Sequence, residues 1–516
     1  MKYALAVVVG LLLDVLCGLQ AVAYEPIEKP NIVLIVADDL GYGDLGSYGA
    51  KKINTPNIDR LASEGVRFTD AHSTAAICQP SRYAILSGAY FFRAQRQGKQ
   101  TLYFHDGQIT LPGLLKSAGY RTAAIGKWHL GFNRGADPDY NGELKPGPLE
   151  IGFDYFFGTP RTHNEPPFVF VENHRVVGYD AADPIRIVSH EQVLQRGLTD
   201  MGWGISEGAS RAHQFRPQDR IDLILAEKAV QFLSQENDQP LFLYLAFLAP
   251  HAPITPAQEF QESSAAGPYG DYVQQLDAAV GKVLDALASQ GLSDKTLVIF
   301  TSDNGGVLHI DTLDAGHRAN GALLGQKTDA WEGGHRVPFI ARWPGKIPAG
   351  SLGNQLLGLT DIMATAAAAA EVAVPEGVAP DSINQLPVLL DPAHAAPVRD
   401  ELLLQSIKGY ALRQGEWLYL PQQGSLGFSV PTPPKINPQF SKLGLATSDI
   451  DGAGRIRTNA LPVQLYNLDL DLFQRWNVAA NYPQRAELLG ARLRELVHKP
   501  DLPVTVMPLP HFAPTR

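Results

Sequence analysis

Cysteine is nearly missing from this chain: of 516 residues only Cys17 and Cys78 carry a thiol. Cys17 lies in a stretch read below as a removable leader, so the mature chain keeps one thiol and an internal disulfide is excluded. A chain of this length buries a large core without covalent staples. A basic surplus is missing too. The net charge is −10, which argues against a polyanion-binding face and a nucleic-acid role. An anionic substrate would have to be caught by local positive charge. Long apolar runs are confined to the start, MKYALAVVVGLLLDVLCGLQAVAYEP. Lys2, an apolar run broken by Asp14 and the small-x-small site Ala21-Val22-Ala23 predict an export signal over 1–23, with maturation near Tyr24. A lipid anchor at Cys17 fits less well, because Leu16 is bulky for such processing. No later stretch can span a bilayer, so no membrane association is expected after cleavage. Short repeats are absent, and the one low-complexity run, AAAAA at 366–370, predicts a helix packed close to a neighbour.

What the chain does have is a series of strand-length apolar runs between helical patterns, as in a mainly parallel α/β sheet. NIVLIVA (31–37) ends in Asp38-Asp39, RTAAIG (121–126) in Lys127-Trp128-His129, LFLYLAFLA (241–249) in Pro250-His251, and TLVIFTS (296–302) in Asp303-Asn304. Helical segments are expected over 219–236 and 271–290. In open α/β sheets ligands bind outside the carboxyl ends of the strands, which is where all four runs deliver polar groups. After about residue 395 the pattern changes: 402–421 alternates like antiparallel strands, 463–479 reads as a last strand and its exit, and a helix over 482–498 should pack on them. The predicted organisation is a leader (1–23), a catalytic domain (24–395) with a large, mainly parallel or mixed sheet sandwiched by helices, and a smaller antiparallel-sheet subdomain (396–516).

Asp38, Asp39, Asp303 and Asn304 form a hard oxygen set that suits calcium or magnesium better than zinc. Three carboxylates converging on one edge repel unless a cation neutralises them. Arg82, Lys127, His129, His251 and Lys327 form a positive set able to hold a tetrahedral dianion and stabilise charge developing on it. Lys127 and His129 alternate with Trp128, so both can face one side. A hard metal beside such cations suits phosphoryl or sulfuryl transfer.

The missing nucleophile returns attention to Cys78. Cys78-Gln79-Pro80-Ser81-Arg82, followed by Ser87-Gly88, resembles the C-x-P-S-R…[ST]-G signature of formylglycine-dependent sulfatases. ADDLGYGDLGSYG (37–49), TPNIDRLASEGVRF (55–68), GKWHLG (126–131), APHAP (249–253), SDNGG (302–306) and WEGGHRVPFIARWPG (331–345) are similar to blocks of that family in its order. The resemblance implies an alkaline-phosphatase-like fold and oxidation of Cys78 to Cα-formylglycine by a formylglycine-generating enzyme. It implies that one hydroxyl of the hydrated aldehyde attacks sulfur, and that the second lets the carbonyl re-form and sulfate leave. It also implies one Ca²⁺ on Asp38, Asp39, Asp303, Asn304 and an oxygen of residue 78. Lys127 and Lys327 would hold sulfate oxygens, His129 would orient or deprotonate the diol, and His251 would protonate the leaving oxygen. Arg82 would stay beside the aldehyde. A helix is expected from Ser81 onward, its N-terminus favouring negative charge. Gln326 stands where the family often has a small residue.

Two alternatives stay open at this stage. One is a zinc phosphatase or phosphodiesterase of the same superfamily, for which His317 and His335 could be cited. The other is an inactive relative that binds sulfated glycans. The expected substrate is a sulfated polysaccharide or its fragments. Arg161, His163, Asn164 and Glu165, in the loop after FDYFFG (153–158), are candidate sugar contacts, as are His317, Arg318 and Asn320.

Overall fold

A computed structural model describes residues 29–94, 101–236, 238–431 and 437–497. The leader over 1–23 and Cys17 lie outside the described residues. Ten strands form one mixed sheet, in the order Ser351–Gly353, Val66–Phe68, Phe339–Arg342, Thr296–Ser302, Asn31–Asp38, Leu241–Pro250, Arg121–Lys127, Tyr155–Thr159, Val171–Glu172, Arg175–Val176. The four apolar runs of the sequence are its centre and are parallel neighbours: Asn31–Asp38 pairs with Thr296–Ser302 on one side and with Leu241–Pro250 on the other, which pairs with Arg121–Lys127. Strands buried on both faces read as unbroken apolar runs, which is why these were visible.

Alternate side chains of each central strand feed two cores. Ile32, Leu34, Val36, Phe242 and Tyr244 face a layer that includes the helices Cys78–Ser87, Leu111–Ser117 and Ile362–Ala369. Val33, Ile35, Ala37, Leu243 and Leu245 face the helices Pro56–Ser63, Ile221–Leu233 and Pro268–Ser289. The alanine run does what its composition predicts: Ala366 and Ala367 are fully buried where Ile362–Ala369 meets Cys78–Ser87 and Leu111–Ser117.

The strands Glu401–Gln405, Tyr410–Gln414, Trp417–Leu420 and Gln464–Asn467 make a four-stranded antiparallel sheet. The helix Pro483–Val497 covers one face through Leu489 and Leu493. The other face packs on Trp331, whose indole N–H donates to Gln464 Oε1 at 3.0 Å. Gln405 also bridges to the loop ahead of Cys78: its N–H donates to Thr74 O at 2.9 Å and its carbonyl accepts from Ala76 N–H at 2.8 Å. The smaller sheet thereby braces the segment that presents residue 78. Among the described residues no helix is long and apolar enough to cross a membrane.

Candidate active site

The helix that carries Cys78 begins at Cys78 itself, three residues before the sequence predicts. Ile77, in extended conformation, precedes it and offers no side-chain cap, so the usual Ser, Thr, Asp or Asn signal of a helix start is missing. Residue 78 therefore sits in the first turn, where free N–H groups and the helix dipole favour an anion. Nine of the helix's ten residues are buried, which fixes its position.

Around that turn the ends of the four central strands converge. Lys127 Nζ lies 2.6 Å from Asp38 Oδ2, and Lys327 Nζ lies 2.7 Å from Asp39 Oδ1. Arg82 donates through Nε to Asp303 Oδ2 at 2.8 Å, with its Nη2 at 2.7 Å from the same oxygen and 3.7 Å from Asp38 Oδ1. Asn304 Nδ2 donates to Asp39 Oδ1 at 2.8 Å. Three carboxylates and three cations thus pair one to one in a buried cluster. Asp39 and His129 directly follow or closely follow their strand ends and both take left-handed backbone, at φ 66° and 56°. Neither is glycine, and strain of this kind is held only where surrounding contacts over-determine it. For His129 those contacts are its N–H to Pro160 O at 3.1 Å and its carbonyl, which accepts from Gln79 Nε2 at 2.7 Å.

His129 Nδ1 is 3.5 Å from Cys78 Sγ, and Nε2 is 3.9 Å from Glu165 Oε2. Burial, with Lys127 adding to it, holds this imidazole well below its ordinary range, so it is neutral and able to take a proton. The Cys78 thiol is pushed up by burial, while Lys127 and Lys327 pull the other way. Burial and the neighbouring Asp38 push Asp303 up to about 7 against the pull of Arg82. His251 is brought to the same cluster, with Nε2 3.6 Å from Asp39 Oδ2. Its state differs from the sequence expectation. Burial lowers it to about 4, and Nδ1 lies 2.6 Å from the Ala252 carbonyl. The ring donates there through Nδ1 and leaves Nε2 without a proton, so donation from Nε2 needs added negative charge beside the ring.

The residues present fit a hard cation. Ligand atoms of Asp38, Cys78 and Asp303 lie within 4.8 Å of one another, as do those of Asp38, Asp39 and His251. Asp38 Oδ1 and Asn304 Oδ1 are buried acceptors with no hydrogen-bond partner, which is the condition a cation would relieve. The donors are oxygens in the main, as calcium prefers. His317 and His335, the residues citable for zinc, lie apart from this cluster: His317 Nε2 on Asp44 at 2.7 Å, and His335 in a separate buried group with His72 and Glu332, its Nδ1 3.0 Å from His72 Nδ1.

The candidate sugar contacts divide. Arg161 Nη2 lies 2.5 Å from Glu165 Oε2, and this pair stands beside His129. Asn164 is half-buried, with its Oδ1 lacking a partner, and Arg318 is exposed. His163, Asn320 and His317 are buried and engaged within the fold. The buried His163 ring donates to the His251 carbonyl at 2.6 Å and stacks on Tyr272, so it supports His251 rather than facing a substrate. Asn320 clamps Gly306 from both sides, accepting from its N–H at 2.8 Å and donating to its carbonyl at 2.9 Å. His317 spends Nε2 on the buried Asp44. Sequence reasoning missed Gln79, which ties the Cys78 helix to His129 and accepts from Tyr103 OH at 2.9 Å. It also missed the use of Gln326, which donates to Ser429 Oγ at 3.1 Å and so ties the Lys327 loop to the connection between the last two strands of the smaller sheet.

The family profile for sulfatases matches residues 30–372. The chain belongs to the sulfatase family. It is a sulfatase by relatives as well: it is 35% identical to an N-acetylgalactosamine-6-O-sulfatase of Bacteroides thetaiotaomicron over 91% of this chain and 93% of that one. It is also 35% identical to the human N-acetylgalactosamine-6-sulfatase, over 70% of this chain and 66% of that one. A solved structure from work on glycosaminoglycan metabolism by Bacteroides thetaiotaomicron superposes with a TM-score of 0.79 at 33% identity, covering 91% of this sulfatase and 99% of the other. The Ps i-CgsB structure with k-i-k-neocarrahexaose gives 0.66 at 27% identity, over 91% and 92%. The family and the mixed ten-stranded sheet with its small antiparallel partner agree with the sequence reading.

Proposed function

We propose that this sulfatase removes sulfate from a sulfated carbohydrate, with N-acetylgalactosamine 6-sulfate in a glycosaminoglycan fragment as the first substrate to test. The observation that carries the reading is the position of Cys78: the first turn of a buried helix, facing the oxygen cluster of Asp38, Asp39, Asp303 and Asn304 with Lys127, Lys327 and His129 around it. The names of the two N-acetylgalactosamine 6-sulfatases support the sugar. Oxidised to formylglycine by a maturation enzyme, residue 78 would supply a hydrated aldehyde as the oxygen nucleophile. Calcium would be held by Asp38, Asp39, Asp303 and Asn304 together with an oxygen of residue 78, and would supply charge neutralisation there. The segment over 1–23 supports export, to the periplasm or beyond.

The chain's own groups then have defined tasks. Lys127 and Lys327 hold sulfate oxygens, and Arg82 fixes Asp303 in place beside them through its Nε and Nη2 contacts. Neutral His129 takes a proton from the attacking hydroxyl through Nδ1, with Glu165 on its other nitrogen favouring Nε2–H. His251 acts on the leaving side. An entering sulfate ester beside it raises its proton affinity, which is the condition for donation from Nε2. Release of inorganic sulfate from N-acetylgalactosamine 6-sulfate, against the 4-sulfate as control, tests the substrate. Mass spectrometry of the peptide containing residue 78 tests the aldehyde. Cys78→Ala should abolish turnover and leave the melting temperature unchanged; hydrolysis that persists in this variant rejects the nucleophile.

A further inference from the structure

The loops leaving the sheet beside the site enclose a second hollow of about 360 Å³, lined by Tyr48, Lys51, Lys52, His317 and Arg318. One wall runs on from Asp39 through Gly43 to Lys52. The other, residues 316–322, is tied by Asn320 to Gly306, two residues after Asn304. The walls touch: Gly43 N–H donates to Ala319 O at 2.6 Å, and a Cβ on Gly43 would sit 2.6 Å from Gly321 N. A backbone reach of about 3.5 Å per residue places Gly43 within about 14 Å of Asp39. The hollow therefore lies on the same edge of the sheet as the cluster.

Its charge is lopsided. Lys51 and Arg318 are exposed and form no ion pair among the described residues. Lys52 Nζ donates to the Ala315 carbonyl and holds the wall. Asp44, beneath it, is consumed by His317 at 2.7 Å, Tyr269 OH at 2.6 Å and Gly41 N–H at 2.7 Å. Lys51 and Arg318 thus give the hollow a cationic rim on a chain of net charge −10, and such a local positive patch attracts anions.

We propose that this hollow binds an anionic substituent, sulfate or carboxylate, on a sugar adjoining the one whose ester is cleaved. The enzyme then prefers polyanionic oligosaccharides to single sulfated sugars. The inference rests on reading the main site as a glycan sulfatase. The test compares the full-length protein with K51A/R318A, two exposed positions away from the chemistry. Substrates are N-acetylgalactosamine 6-sulfate, a chondroitin 6-sulfate tetrasaccharide and its carboxyl-reduced form. The double variant should raise KM for the tetrasaccharide about tenfold, as expected for two exposed ion pairs, with kcat kept and the monosaccharide constants within about twofold. A preference lost on carboxyl reduction assigns the contact to a carboxylate; one retained assigns it to sulfate. Equal effects on both substrates, or none, overturn the proposal. If the parent cleaves neither substrate the catalytic reading fails instead. The hollow is then judged by calorimetry of the tetrasaccharide with calcium-loaded Cys78→Ala protein: a Kd raised about tenfold by K51A/R318A supports it, and an unchanged Kd or no binding overturns it.

Discussion

Glu332 offers a perturbation whose size follows from the structure. It begins the short helix Glu332–His335 behind the site and is fully buried. Its Oε2 accepts from Arg336 Nε at 2.5 Å, Arg336 reaches Asp70 at 2.7 Å, and Asp70 takes Arg413 of the smaller sheet at 3.2 Å. His72 donates to Asp70 at 2.7 Å. This chain of charges joins the two sheets. Burial pushes Glu332 up, but Arg336, His72, His335 and Arg413 together pull it from 4.5 down to about 2. A depressed carboxyl stabilises the fold above its unfolded pKa, and that stability is lost as pH falls through the folded value. The difference between 4.5 and about 2 is worth about 3 kcal/mol at neutral pH. Glu332→Gln removes the charge and keeps an acceptor for Arg336, which returns about 1 kcal/mol. The expected loss is therefore about 2 kcal/mol at pH 7. By pH 3.5 the carboxyl's contribution has fallen by about 1 kcal/mol, and the gap between parent and variant should narrow to match. Urea unfolding followed by tryptophan fluorescence across that pH range measures both. Equal stability at pH 7, or a gap that stays constant on acidification, refutes the argument.

Asp303 titrates in the opposite sense. Raised by burial to about 7, it keeps a proton in the fold between its unfolded value of 3.8 and 7 that the unfolded chain has lost. Stability of the chelated protein should thus fall as pH rises through this window. Calcium should displace that proton, so its affinity should rise about tenfold per pH unit below 7 and level off above. Calorimetry in two buffers of different ionisation enthalpy reads the released proton near pH 6, and pH-independent affinity would count against it. Gly126→Ala tests the placement of Lys127: φ is +120°, and a Cβ would lie 1.9 Å from the Ala246 carbonyl oxygen. Melting should show a loss of about 3 kcal/mol or more, with activity falling as the strand end shifts. An unaltered melting curve would remove the steric argument.

The central four strands and their tips were legible because burial on both faces leaves an unbroken apolar run, and the first polar residue after it marks the sheet edge. The short outer strands, such as Val171–Glu172 and Arg175–Val176, were not: two residues carry no periodicity. Their pairing is fixed by tertiary packing. The helix start at Cys78 escaped because its cap is the apolar Ile77. The left-handed turns at Asp39 and His129 escaped because Asp and His tolerate that region better than most residues but do not mark it as glycine does. Polar loop residues were the hardest. Arg161 and His163 look equally suited to a sugar in sequence, yet one stands beside His129 and the other is spent on a backbone carbonyl. The deciding partner lies 88 residues away in the chain.

The one-to-one pairing of the site also explains why its charges had to be read as a set. Lys127, Lys327 and Arg82 each sit within 2.7 Å of a different carboxylate, on Asp38, Asp39 and Asp303 respectively. In that arrangement the lysines have no free charge with which to hold a sulfate ester. Moving either ammonium toward a substrate leaves a buried carboxylate unpaired, which costs several kcal/mol unless another positive charge takes its place. A hard divalent cation held by these carboxylates would supply that charge, and the partnerless buried oxygens of Asp38 and Asn304 would be available to it. On the proposed reading, cation and sulfate binding would be coupled through the same residues, and by linkage each would tighten the other. A site with the same carboxylates but no lysines would bind the cation and repel the ester; one with the lysines alone would bind sulfate without a means of balancing the oxygen nucleophile beside it.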